Sequence, residues 1–249
     1  MLPVLVHIGP IAVHSWGVMA VIATLAGMLV LRSELSRLAQ RGDAALGLAV
    51  AALLGGLVGA RLYYLAEHLA QSDGARTVGG SGFTWYGGVL GGAIAALLWA
   101  RRRAVPIPPL LGAMAPTLAL SYAIARVGCQ LAGDGTYGTP SQLPWAMSYP
   151  HGEVPTTVRV HPTPIYESLA SLLIFAVLWR LRHRVAPLRL FALYLVLSGV
   201  ERFAVEFVRR NDHVLIGLTQ PQLWGAALAL VGVASWFGLR AAAPASRAA

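Results

Sequence analysis

The chain contains no lysine and one cysteine, Cys129, and only 10 of its 249 residues are acidic. A lone thiol excludes an intramolecular disulfide, and no cysteine and histidine spacing suits zinc. Charge of either sign is scarce: charged residues make up 12% of the chain against 57% hydrophobic, and the mean hydropathy is +0.64. That balance excludes an ordinary soluble domain and indicates a polytopic membrane protein. The first ten residues show neither a basic patch ahead of the apolar run nor a small-residue cleavage pattern, so no removable leader is expected. Without an internal repeat or a low-complexity tract, a single membrane domain over 1–249 is the simplest division.

Apolar stretches near the ~20 residues that cross a bilayer fall at 13–31, 44–66, 85–100, 107–130, 163–179, 188–208 and 219–239. They predict an all-α protein with seven transmembrane helices. The arginines orient it. Twelve lie on alternate connections and the tail, from Arg32, Arg37 and Arg41 through Arg101, Arg102 and Arg103 and Arg180, Arg182, Arg184 and Arg189 to Arg240 and Arg247. The other connections hold only Arg76, Arg159, Arg209 and Arg210. The positive-inside rule then places the N-terminus outside and the C-terminus in the cytoplasm. The net charge of +9 serves this orientation and contact with anionic inner-leaflet headgroups, and requires no nucleic acid.

Two outer connections are long. Glu67 to Thr84 is polar and glycine-rich, whereas Leu131 to Pro162 holds five prolines among aromatic residues. The second is too apolar for a linker and too irregular for a helix, which predicts an ordered extracytoplasmic cap at about 131–162.

Three arginines remain inside predicted helices: Arg61, Arg126 and Arg202. A charge at mid-bilayer costs at least about 2.5–3.5 kcal/mol, so such residues face a bundle interior or an aqueous cavity and mark function. Arg126 and Arg202 share a depth near the outer ends of their helices. Snorkelling, or pairing with Glu201 or Glu206, is the structural explanation. The functional one is a phosphate grip: Arg202 and Glu206 lie four residues apart on one face, and a guanidinium held by a carboxylate presents a fork to phosphate oxygens. For Arg61, packing or snorkelling is the stronger reading, with lipid binding beside it. At the same outer level lie His7, His14 and Trp16, then Trp85 and Tyr86, then His161, Tyr166 and Glu167; for Trp85, Trp145 and Trp224 an interfacial belt suffices.

The ordered set "HIGPIAVHSWG", "GLVGARLYY", "WYGGVLGG", "ARVGCQLAGDGTYG", "VHPTPIYE" and "ERFAVEFVRR" resembles the bacterial prolipoprotein diacylglyceryl transferases over nearly the whole chain. The resemblance implies a seven-helix, N-out enzyme of the bacterial inner membrane with its site toward the outer leaflet. Its reaction would move the diacylglyceryl group of phosphatidylglycerol to the lipobox cysteine of a preprolipoprotein, forming a thioether and releasing glycerol phosphate, and the resemblance implies no metal or soluble cofactor. Arg126, Gly128, Gly138, His161, Tyr166, Glu167, Arg202 and Glu206 match family positions, and Asp134 stands where a glutamate is usual. Trp16 replaces a tyrosine, Tyr86 a histidine, Cys129 an asparagine and Ser198 a tyrosine, and one extra residue lies between Asp134 and Gly138. The catalytic set carried over is Arg126, Arg202, Tyr86, Asp134 and Glu206. The substrate-binding set is Trp16, His14, Gly138, His161, Tyr166, Glu167 and Arg61.

The base for the acceptor thiol stays open, because Tyr86 stands in the histidine's place and a phenol has a reference pKa near 10. Asp134, Glu206 and His161 are the alternatives, as is a thiol acidified by the arginines themselves. Cys129 is expected to fill space, not to relay the lipid, since an alkyl thioether on it would lack a leaving group. Two other readings stand at this stage. One is a divergent paralogue with another lipid or acceptor, and the second is a non-enzymatic lipid-binding or transport protein using the same arginines.

Overall fold

The computed structural model describes residues 1–69 and 84–238, without the side chains of Ile8, Ile11, 67–69, Trp85 and Tyr86. Most of the polar connection expected between Glu67 and Thr84, with Arg76, and the tail arginines Arg240 and Arg247 lie outside the described residues. Seven α-helices are described: α1 (Ser15–Arg37), α2 (Ala44–Leu69), α3 (Trp85–Arg102), α4 (Ile107–Ala132), α5 (Thr163–Leu181), α6 (Pro187–Val205) and α7 (Gln220–Gly238). Each coincides with one of the apolar stretches. Four of them, over Ser15–Arg37, Ala44–Ala66, Ile107–Ala132 and Thr163–Leu181, are long and apolar enough to cross a membrane. The protein is thus a mostly helical membrane protein.

Short strands, which the helical pattern did not predict, join the helix ends. β1 (Val4–Ile8) and β2 (Ile11–His14) form an antiparallel hairpin ahead of α1. β3 (Met147–Tyr149) pairs with β4 (Thr156–Val160) in the segment between α4 and α5. After α6 a 3-10 turn (Glu206–Val208) leads to the hairpin of β5 (His213–Leu215) and β6 (Leu218–Thr219). Its turn has Ile216 at φ +52° and Gly217 at φ +71°, the left-handed pair that a two-residue hairpin turn demands.

The chain divides into two compact units, one of residues 1–30 and 111–249 and the other of 31–110. In the second unit α2 and α3 meet through glycine. A β-carbon placed on Gly59 would lie 2.8 Å from Gly91 Cα, and one on Gly55 2.7 Å from the Gly91 carbonyl oxygen. Backbone meets backbone there, which suits helices in lipid, where small residues permit the close van der Waals contact that drives association. At the turn ahead of α2, Arg41 bridges Asp43 at 2.8 Å, and this exposed pair holds the Asp43 carboxyl below its usual range.

In the first unit α6 and α7 meet the same way, at Gly199, Gly225 and Gly232. By contrast α4, α5 and α6 share a side-chain core of Ala115, Ala119, Ile174, Leu178 and Leu190. Pro164 and Pro187 sit at the starts of α5 and α6, where the missing N–H has no helical partner to lose. The segment between α4 and α5 leaves through Gly133 (φ +62°) and Gly135 (φ +84°). It is held by stacked Tyr137 and Tyr149 with ring centroids 4.7 Å apart, and by Arg159, whose guanidinium donates to the carbonyls of Leu143, Pro144 and Ala146. Tyr149 Oη donates to Gln130 Oε1 at 3.0 Å, and burial pushes the phenol's pKa up.

Candidate functional site

Glu167, one turn into α5, is the centre of the site. Its side chain has no exposed surface, and a carboxylate so deep persists only if cations and donors surround it. Arg202 Nη1 of α6 donates to Oε1 at 2.8 Å, and Arg209 Nη1 donates to Oε1 and Oε2 at 3.0 and 3.2 Å. Tyr122 Oη of α4 donates to Oε1 at 3.1 Å, while Arg126 Nε lies 3.1 Å from Oε2. Three guanidinium groups, from α4, α6 and the end of the 3-10 turn after it, thus converge on one carboxylate.

A second carboxylate closes the other flank. Glu206 Oε2 lies 3.1 Å from Arg202 Nη2 and 3.9 Å from Arg209 Nε. Its Oε1 accepts hydrogen bonds from Thr219 Oγ1 at 3.0 Å and from Asn211 Nδ2, so the hairpin after α6 orients it. Arg126 is steadied by its own helix: Nη2 donates to Tyr122 Oη at 2.7 Å and Cζ stands 4.8 Å over the Tyr122 ring.

Three guanidinium groups face two paired carboxylates, which leaves one positive charge in excess. Arg126 Nε is buried yet directs its N–H into no hydrogen bond, despite its nearness to Glu167. An excess cation in a buried setting is suited to an anion that offers a pair of oxygens to the guanidinium fork, such as phosphate or carboxylate.

The structure brings together Arg126, Arg202, Glu206 and Glu167 of the residues singled out in the sequence. Glu167, expected to bind substrate, is met by Arg126, Arg202, Arg209 and Tyr122. Sequence reasoning missed two members. Arg209 was counted among the outer-loop arginines; its side chain is only 9% exposed and belongs to the cluster. Its signal was present in "VERFAVEFVRR", where positions 202, 206 and 209 fall on one helical face. Tyr122 was missed although it lies one turn before Arg126 on the same face; its other partner, Glu167, is 45 positions away.

Tyr166 Oη accepts from Trp145 Nε1 at 2.7 Å and lies 3.3 Å from His161 Nδ1, making a separate aromatic group at the start of α5. Asp134 Oδ1 accepts from Thr136 N and Oγ1 at 3.1 and 2.6 Å, a local turn closure. Gly138 donates its N–H to the His161 carbonyl at 2.8 Å, and a β-carbon on it would run into the Val208 carbonyl. Its place is therefore a close backbone approach. His14 Nδ1 is 3.7 Å from Glu153 Oε1, and Trp16 is half exposed. Arg61 belongs to the other unit, where it stands over the Tyr64 ring at 5.5 Å. The side chain of Tyr86 lies outside the described residues. Cys129 is buried and 3.7 Å from Arg126 Nη1. The ion pair considered between an arginine and Glu201 does not form; Arg126 and Arg202 both turn to Glu167 instead.

A family model described as prolipoprotein diacylglyceryl transferase matches residues 3–238. The phosphatidylglycerol--prolipoprotein diacylglyceryl transferase of Clostridium tetani is 30% identical, over 86% of this chain and 87% of its own length. The protein of that name from Synechococcus elongatus is 32% identical, over 97% and 90%, and that from Chromohalobacter salexigens 35%, over 93% and 90%.

Proposed function

Because the chain belongs to the prolipoprotein diacylglyceryl transferase family, we propose that it takes the diacylglyceryl group from phosphatidylglycerol and joins it to the lipobox cysteine of a preprolipoprotein. The observation that supports this best is the Glu167 cluster, with its three arginines and one excess positive charge. In the reaction the cysteine sulfur attacks the glyceryl carbon bonded to the phosphate oxygen. A C–S bond forms, the C–O bond breaks, and glycerol phosphate leaves with one more negative charge than the phosphodiester carried. Arg126 and Arg202 are placed to receive that charge as it develops, which is where fixed donors lower a barrier most. Glu167 and Glu206 keep the guanidinium planes oriented before substrate arrives, so little reorganisation is needed in the transition state.

The seven helices are proposed to span the bacterial inner membrane with the N-terminus outside. The arginine asymmetry supports that orientation, and it puts the outer ends of α4 and α6, with their arginines, near the headgroups of the outer leaflet. A reporter fused after Arg103 is expected to read cytoplasmic, and an external signal there would overturn the topology. Purified protein given phosphatidylglycerol and a lipobox peptide is expected to release glycerol phosphate only when the peptide carries its cysteine. Lipid binding with no release would favour the non-enzymatic reading, while release with a different acceptor would favour a divergent paralogue. Tyr86, Cys129 and Ser198, each a departure from the family residue, are the observation behind that second reading.

A further inference from the structure

Among the described residues, Glu201 is a carboxylate beside the cluster that no arginine bridges. It lies one position before Arg202 and so points about 100° around α6 from it. That turn takes it out of the ion-pair stripe and into the wall of a groove of about 660 Å3 between α5 and α6. The wall is otherwise mostly apolar, with Leu173, Leu197 and Val208 among its residues, and His161 and Tyr166 line the same groove. Glu201 Oε1 is buried and takes no hydrogen bond from any described residue.

A buried carboxylate oxygen without a partner is expensive to keep, and in lipid-facing apolar surroundings an ionisable side chain marks a working site. The other acids nearby are already committed. Glu167 and Glu206 are occupied by arginines, and Asp134 closes its own turn. We propose that Glu201 is the base that removes the acceptor's thiol proton, with the groove between α5 and α6 admitting the apolar segment that carries the thiol. This rests on the transferase reading above and names a group for the step which that reading leaves without one.

The step balances simply. The S–H bond breaks, its proton passes to a Glu201 oxygen, and the sulfur keeps the electron pair with which it attacks the glyceryl carbon. The C–O electrons leave on phosphate against Arg126 and Arg202, and Glu201 later returns its proton to water. Oxidant and metal have no part in it.

The test is transfer to a lipobox peptide by the full-length protein in phosphatidylglycerol vesicles, followed by glycerol phosphate release between pH 6 and 9.5. Glu201→Gln keeps the side chain's shape and removes its basicity. Loss of a positioned base costs about 10²–10⁴-fold, so at pH 7 the variant is expected to lose at least a hundredfold in rate. As pH passes the reference thiol value near 8.5 the acceptor ionises unaided, and the deficit is expected to shrink at least tenfold. Glu201→Asp is expected to keep part of the neutral-pH rate. A Gln variant as fast as wild type at pH 7 overturns the assignment. So does a deficit that stays constant across the pH range, which would mean a structural role, or a pH-rescued loss in His161→Asn with none in Glu201→Gln. If wild-type protein releases no glycerol phosphate at any pH, the transferase reading itself falls and the base assignment with it.

Discussion

Replacing Glu167 by glutamine changes one oxygen to an amide nitrogen and removes one charge from the centre of the cluster. The wild-type balance is three guanidinium groups against two carboxylates; the variant leaves three against one, and points an N–H₂ group at cations. Removing one partner of a buried ion pair costs about 3–5 kcal/mol, because the other charge stays behind unpaired. Here three arginines lose the acceptor they share, at contacts of 2.8–3.2 Å. At 1.4 kcal/mol per decade, the loss is roughly a hundred- to several-thousand-fold in the folded-to-unfolded ratio. With a shift of about 2–4 °C per kcal/mol for a protein of this size, the expected fall in Tm is about 6–20 °C. Thermal unfolding in a single detergent measures it directly. The electrostatic origin is tested by Glu167→Gln combined with Arg209→Gln, which returns the excess to a single positive charge. Coupled sites deviate from additivity by about 0.5–3 kcal/mol, and the double variant is expected to be more stable than Glu167→Gln alone. A Glu167→Gln protein with wild-type Tm, or a double variant whose losses simply add, would refute the view of Glu167 as the electrostatic hub.

Arg126→Lys and Arg202→Lys are expected to remain folded but to lose most of the transfer rate, since an ammonium lacks the planar fork; full activity in either removes that residue from the phosphate grip. Cys129→Ala is expected to keep most activity, and a lipid adduct on Cys129 during turnover, found by mass spectrometry, would contradict the role of spacer. Gly59→Val drives a side chain into the α3 backbone and is expected to destabilise by about 1–3 kcal/mol or more. Gly17→Ala, with nothing within 4 Å of the added carbon, is the matched substitution expected to leave Tm unchanged.

The helices were legible in the sequence because their signal is local: long apolar runs set off by arginine, proline and glycine. Arg126, Arg202 and Glu206 were legible for a related reason, since a charge inside an apolar run stands out by itself. The hub was not legible. Glu167 meets Arg202 across 35 positions and Arg209 across 42, and no periodicity within α5 reveals which facing helix it will meet. Arg209 was assigned to a loop because hydropathy ends α6 near residue 208; the α-helix itself ends at Val205, and the 3-10 turn over Glu206–Val208 brings Arg209, directly after it, back to the Glu206 side. The strand pairs escaped because each is only two to five residues long, shorter than the windows in which alternation becomes visible.

The hub also has an order in time. α2 and α3, like α6 and α7, are neighbours along the chain and join through glycine contacts, so each pair can close as soon as its second helix is made. Arg126 waits longer, because its carboxylate partner follows the long connection between α4 and α5. The ribosome adds Glu167 41 residues later, and Arg202 and Arg209 only after that. During synthesis, on the orientation proposed above, a nascent α4 must therefore carry a guanidinium near the outer surface before its protein partner exists. The anions at hand there are water-exposed phosphates of the lipid itself. The group proposed as substrate would thus serve first as a placeholder, holding Arg126 until α5 arrives, and a membrane poor in anionic lipid would be expected to slow maturation of this protein before it slowed its chemistry.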